Sequence, residues 1–173
     1  MGSFLRDIML GGGVKSVFDL GAGKGFNSLF CASFGANVTA VDKKEFPEYL
    51  KNHPKIKLVN EKIEDFSWTE TKYDLVLLNN ILPFLAKDFL KEKLVPSVIK
   101  NLNINGSIYI STFSPDDPIF SKDSKASLYT LNELIDIFSS FSVVAQKEEV
   151  INDNHHPLGL HEHNTIKIVL RKK

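Results

Sequence analysis

Three glycines at alternate positions, Gly21, Gly23 and Gly25, follow an acid at Asp19, and a second acid, Asp42, closes the next apolar run. Glycine reaches backbone conformations with positive φ. This spacing therefore permits a tight turn at Gly21, bare backbone against a ligand at Gly23, and a close helix start at Gly25. An acid roughly 20 residues beyond the first glycine is where a strand–turn–helix–strand unit meets the hydroxyl pair of a ribose. These residues predict a nucleoside-binding half-site. The pyrophosphate fingerprint is G-x-G-x-x-G, and here Phe26 stands where that pattern wants its third glycine, which argues against a dinucleotide. An acid directly before the turn suits a ligand carrying an ammonium group better than one carrying phosphates.

A second group of residues able to do chemistry lies near the other end of the chain. His155, His156, His161 and His163 are four of the five histidines and fall within residues 155–163. Imidazole titrates near neutrality, so a general base is one use. A divalent metal site and contacts to an anionic or metalloid substrate are two others. An exposed polar hairpin would need none of them. The spacing matches no standard closed zinc site, and no metal ligand is assigned from it.

The elements that must position these groups can be read from periodicity. Residues 14–20 form a short apolar run that fits a strand buried on both faces, and residues 37–41 form a second that delivers Asp42. Between them Phe26, Leu29, Phe30 and Phe34 repeat at helical spacing and predict the buried face of a helix, with Gly35 as its left-handed cap. Further strands are expected at 56–59, 73–78, 107–113, 142–150 and 165–170. Residues 87–101 predict an amphipathic helix kinked or divided at Pro96. Thr130 and Glu133 form a capping box opening a last helix. Residues 114–128 lack periodicity and read either as a lid over a site or as a solvated loop. Residues 152–164, which carry the histidines, are expected to form a loop between the last two strands.

Composition narrows the class. At 173 residues the chain is expected to be one domain, residues 1–173, with a single well-buried core. Lys plus Arg and Asp plus Glu number 21 each, and a neutral chain gives no support to electrostatic capture of nucleic acid. The one cysteine, Cys31, excludes a disulfide framework and fits a reducing, cytoplasmic compartment, with packing a better reading than nucleophilic chemistry. No apolar run reaches the ~18 residues that a bilayer requires, and no membrane partner is expected.

The run Asp19-Leu20-Gly21-Ala22-Gly23-Lys24-Gly25, with Asp42 at its spacing, resembles motif I and the ribose acid of the class I S-adenosylmethionine-dependent methyltransferases. The resemblance covers most of the chain. It implies a Rossmann-like α/β fold: a seven-stranded, mainly parallel sheet with an antiparallel last strand and helices on both faces. It also implies S-adenosyl-L-methionine as cofactor and methyl transfer to a small-molecule acceptor. In that likeness Asp19, Gly21, Ala22, Gly23 and Gly25 hold the methionine end, and Asp42 with Lys43 takes the ribose. Lys62, Ile63 and Glu64 surround the adenine, and Asn79 lies beside the sulfonium region. Lys62 stands where the family usually has an acid. Residues 73–84 resemble the family's fourth motif without the Asn-Pro-Pro-Tyr sequence of enzymes that methylate bases.

The histidine segment resembles that of small methyltransferases of the tellurite-resistance type, which puts the four histidines on the acceptor side. Little sequence precedes motif I, so an open site is expected there, covered by later loops, a second copy in a homodimer, or a partner chain. Two alternatives remain at this level. One is a catalytically silent module that binds the cofactor or serves as a partner subunit. The other is a nicotinamide-linked oxidoreductase, disfavoured by Phe26.

Overall fold

Strands that read as unbroken apolar runs have to be covered on both faces, and here they are. The computed structural model describes residues 3–155 and 158–173. It contains helix α1 (Ser3–Leu10), strand β1 (Ser16–Leu20), α2 (Phe26–Ser33), β2 (Asn37–Asp42), β3 (Ile56–Asn60) and β4 (Tyr73–Asn79). There follow α3 (Lys87–Phe89), a π-helical turn Leu90–Leu94, α4 (Val95–Asn101), β5 (Leu102–Phe113), α5 (Leu131–Ile137), β6 (Phe141–His155) and β7 (Gly159–Lys172). The strands form one sheet in the order β3-β2-β1-β4-β5-β7-β6. Pairs among β1 to β5 are parallel, and β7 runs antiparallel between β5 and β6.

Alternation along each strand feeds two cores. Phe18 and Leu20 of β1, Val76 and Leu78 of β4, Ile108 and Ile110 of β5, and Ile166, Ile168 and Leu170 of β7 pack with Leu90, Leu94, Val98 and Leu134 on one face. Val17, Leu75, Leu77, Tyr109 and Val169 point the other way, onto Leu5 and Met9 of α1 and Cys31 and Ala32 of α2. Order reversal between β1 and β4 opens a crevice at the carboxyl ends of the central strands, the ordinary ligand position of such sheets.

Three sequence expectations are corrected and one is refined. The first is the buried face of α2. The residues facing the sheet are Ser28, Cys31 and Ala32, whereas Phe26 is 67% and Phe34 42% exposed. The helix begins directly on the glycine turn and so lies close to β1, where small side chains fit and phenylalanines do not. Leu29 and Phe30 are half-buried against that core as expected, and Phe30 meets the exposed Phe34 at a ring distance of 5.0 Å.

The second is a refinement: the 87–101 helix is divided beside Pro96 as expected, and a π-helical turn is what divides it. Its buried residues include Leu90, Leu94, Val95 and Val98, but a π-helical turn precedes Pro96. Proline has no N–H for the carbonyl four residues before it, so regular α-helical pairing cannot run through this point. The third is β5, which starts at Leu102. The ladder with β4 skips from Tyr73–Leu102 to Leu75–Ser107, and residues 103–106 bulge outward around Asn105 at φ 62.

The fourth matters most for function. Residues 152–155 and 159–164, expected as loop, are strand. β6 and β7 continue as a two-stranded ribbon past Phe113, the end of β5, and pair from Val150–Asn164 to His155–Gly159. Segment 114–128 folds against that ribbon through Ser114 N–H to the Asn164 carbonyl (2.9 Å), and against the β4 exit through Ser127 N–H to the Pro83 carbonyl (2.9 Å).

The capping box at α5 is formed on both sides: Thr130 Oγ1 accepts from the Glu133 N–H at 3.2 Å, and Glu133 Oε2 accepts from the Thr130 N–H at 2.7 Å. Loss of an N-cap hydroxyl costs roughly 1 kcal/mol. Thr130→Ala should therefore lower unfolding free energy by about 1 kcal/mol in urea titrations, with an unchanged denaturant slope.

Candidate active site

At the end of β1 the chain turns three times through positive φ, with Gly21 at 71°, Gly23 at 55° and Gly25 at 73°. The three glycines are needed for different reasons. A Cβ on Gly21 would lie 2.7 Å from Ile81, and one on Gly25 would lie 2.3 Å from Leu50, but one on Gly23 would meet nothing within 4 Å. Gly23 therefore presents bare backbone to open space. The turn is fastened to β2 by the Gly21 and Ala22 amides, which both donate to the Val41 carbonyl at 2.8 and 3.1 Å.

Asp42, at the end of β2, completes the turn. Its Oδ2 accepts from the Gly23 N–H at 2.8 Å, and its Oδ1 accepts from the Lys44 N–H at 2.8 Å. Each carboxylate oxygen keeps further acceptor capacity. A cavity of about 270 Å³ opens beside it, lined by Gly21, Gly23, Asp42, Lys43, Lys44, Ile63, Glu64, Asn80, Ile81, Phe84 and Leu85.

Asp19 does not line that cavity. It is buried beneath the turn, and its Oδ2 accepts from Ser28 Oγ at 2.6 Å, tying β1 to α2. Burial pushes its carboxyl up to about 6; the Ser28 hydrogen bond opposes this and the nearby Asp42 charge adds to it. The same burial, with the Asp19 charge beside it, pushes the Cys31 thiol up to about 12, which removes it as a nucleophile at neutral pH.

A second hollow of about 500 Å³ lies across the turn, on the α2 side of the sheet. Ala22, Lys24, Asn27, Asn79, Tyr109, Ser111, Ile151 and Lys167 line it. Asn80 borders both spaces. It adopts φ 54, donates its N–H to the Ser111 carbonyl at 2.7 Å and accepts from Ser111 Oγ at 3.1 Å. Asparagine is among the few residues that visit this conformation readily, so the residue after β4 can turn sharply between the two spaces.

The histidine segment stands on the same face of the sheet as this hollow. His161 and His163 alternate along β7 and so share one face of the ribbon. His163 is buried; its Nδ1 lies 2.8 Å from Asp117 Oδ2, and its Nε2 lies 3.0 Å from His161 Nε2. His161 Nδ1 lies 2.7 Å from the Gly159 carbonyl oxygen. Asp117, fully buried, also accepts from the amides of Ile119, Phe120 and Asn164 at 2.8 to 3.0 Å. A chain of rings leads back to the cavity. Phe84, in its wall, touches Phe120 at 5.9 Å, and Phe120 touches His163 at 5.9 Å.

Residues 12–168 match the sequence profile described as tellurite resistance protein TehB. The chain belongs to the TehB family. Compared by sequence with curated proteins, it has no match. Its fold is that of class I S-adenosylmethionine-dependent methyltransferases. TehB from Haemophilus influenzae superposes with a TM-score of 0.83 at 19% identity, over 100% of this chain and 63% of that one. The Burkholderia thailandensis 1,6-didemethyltoxoflavin-N1-methyltransferase, solved with 1,6-didemethyltoxoflavin and S-adenosylhomocysteine, gives 0.74 at 23% identity over 99% and 77% of the two chains. The N-methyltransferase NodS from Bradyrhizobium japonicum WM9, in complex with S-adenosylhomocysteine, gives 0.72 at 16% over 98% and 84%.

In this TehB-family chain the sequence-derived positions separate into groups. Gly21, Gly23, Asp42, Lys43, Ile63 and Glu64 line the 270 Å³ cavity; Ala22 and Asn79 line the hollow across the turn. Asp19 and Gly25 lie beneath the turn, against Ser28 and Leu50. Lys62 is exposed beside the cavity and is not part of its wall. His156 and the side chain of His155 lie outside the described residues. Sequence reasoning missed Asn80, Phe84 and Asp117. The Asn79-Asn80 pair after a strand was a signal for Asn80, but nothing local couples Asp117 to a histidine 46 residues away.

Two predictions follow from this geometry. Gly23→Ala should cost about 1–2 kcal/mol, for its positive φ alone, while Gly25→Ala should cost about 3 kcal/mol or more because it also strikes the buried Leu50. Urea unfolding of both variants checks the order. The second concerns Asp19. Its folded pKa lies above the ordinary 3.8, so this group's stabilising contribution is complete below pH 4 and is lost as pH rises to about 6. The loss amounts to about 3 kcal/mol. Asp19→Asn, which still accepts from Ser28, cannot titrate. Its unfolding free energy relative to wild type should therefore rise by about 3 kcal/mol between pH 3 and pH 7.

Proposed function

We propose that this chain, acting as one domain, transfers a methyl group from S-adenosyl-L-methionine to a small-molecule acceptor. The observation that carries the reading is the Asp42 carboxylate, held by the Gly23 N–H at the mouth of a cavity floored by positive-φ glycines. A carboxylate with spare lone pairs beside bare backbone fits a ribose diol. The apolar walls at Ile63, Ile81 and Leu85, with the polar edge of Glu64, fit a purine ring. Lys43 and Lys44 at the same mouth leave no room for reading Asp42 as an isolated anion.

The bound sulfonium supplies an already activated methyl, so the protein has chiefly to align an acceptor with the methyl–sulfur bond. Asn80 borders both spaces and sets the passage between them. Acceptor binding is assigned to the hollow of Asn79, Tyr109, Ser111 and Lys167. His161 and His163 stand on the acceptor side, on the ribbon beside that hollow. A single buried thiol suits a cytoplasmic protein. The crevice above the glycine turn suits cover by a second copy or a partner chain.

Calorimetric titration with S-adenosylhomocysteine tests the reading. The wild type should bind in the micromolar range, and Asp42→Ala should bind at least about 10-fold more weakly, since a charge-assisted hydrogen bond contributes about 1.5–3 kcal/mol. A folded chain that does not bind S-adenosylhomocysteine, or is protected from heat by a nicotinamide nucleotide instead, would overturn it.

A further inference from the structure

The histidine pair has an electrostatic problem that its surroundings create. The Gly159 carbonyl can only accept a hydrogen bond, so the proton of a neutral His161 sits on Nδ1. Asp117, which takes amide hydrogen bonds from Ile119, Phe120 and Asn164, is an acceptor in the same way and fixes the His163 proton on Nδ1. Both Nε2 atoms then carry lone pairs, and they face each other at 3.0 Å. Two acceptors at that separation repel unless a cation lies between them. A third donor is at hand. Asp153 pairs directly with His161 across the ribbon, and ligand atoms of Asp153, His161 and His163 all lie within 4.8 Å of one another.

We propose that Asp153, His161 and His163 form a binding site for a divalent transition metal, zinc being the reference ion. Two imidazole nitrogens and one carboxylate oxygen suit zinc, and three protein ligands leave one position for a water or an anionic oxygen of an acceptor. Both rings are already oriented by their outer nitrogens, His163 by a carboxylate and His161 by a backbone carbonyl, as ligating histidines are. Alternation along β7 puts the two histidines on one face, and the β6 register puts the acid opposite. The site stands on the ribbon and does not rest on methyl transfer.

The test uses the full untagged chain, stripped with a chelator and titrated with Zn²⁺ by calorimetry and with Co²⁺ by visible absorption. One ion should bind per chain, and Co²⁺ should give the intense bands of a four-coordinate site. His161→Gln and Asp153→Asn change residues outside the core, so their folding is safe. Each should weaken binding at least about 10-fold, and Asp117→Asn should weaken it about 10–100-fold through His163. His53→Gln, in the connection before β3, should change nothing. A folded wild type with no stoichiometric site, or one that survives both His161→Gln and Asp153→Asn, overturns the proposal.

Discussion

The hydrogen bond from the Gly23 amide to the Asp42 carboxylate joins the turn after β1 to the end of β2, and the ligand crevice takes its shape from that junction. Its geometry demands much of the local sequence. The turn must pass through three left-handed residues, its backbone must come within hydrogen-bond distance of an acid, and the next helix must start at once. Because α2 starts there, its sheet-facing side has to be Ser28, Cys31 and Ala32, and Phe26 and Phe34 are displaced outward. Because Leu50 packs under Gly25, the short segment after β2 also becomes part of the turn's foundation.

The junction also gathers negative charge. Asp19 lies below the turn and Asp42 above it, and the charge on Asp42 helps to raise the affinity of Asp19 for its proton, although burial is the larger cause. Such a pair is unfavourable at close quarters, and Lys43 and Lys44 at the cavity mouth offset its outer member. Perturbed groups of this kind cluster at functional sites.

Where structure follows from local rules, the sequence was legible. The glycine turn, the acid of β2, the α5 capping box and the left-handed Gly35 depend on neighbours a few residues apart. The two-faced core follows from alternation. Failures come where a distant partner decides. The helical stripe of Phe26, Leu29, Phe30 and Phe34 is a sound amphipathic pattern, but closeness to β1 overrode it at Phe26 and Phe34. Polar residues 152–164 read as a loop because the signals for a strand are apolar, whereas here cross-strand pairing and one buried carboxylate hold a polar ribbon. The partnership of Asp117 with His163 exists only where segment 114–128 folds back on β7, and that of Asp153 with His161 only in the register of β6 on β7.

That register carries a further implication. The ribbon extends beyond the last rung shared with β5, so the rungs from Val150–Asn164 onward can change in number or in side chains without disturbing any strand of the core. A shift of one residue would turn both histidines to the opposite face. Pairs of residues added or removed in those rungs would keep the facing pattern and alter only reach. The antiparallel strand at this position thus makes the ribbon end of the molecule separable from its glycine-turn end. One can diversify in steps of two while the other stays fixed.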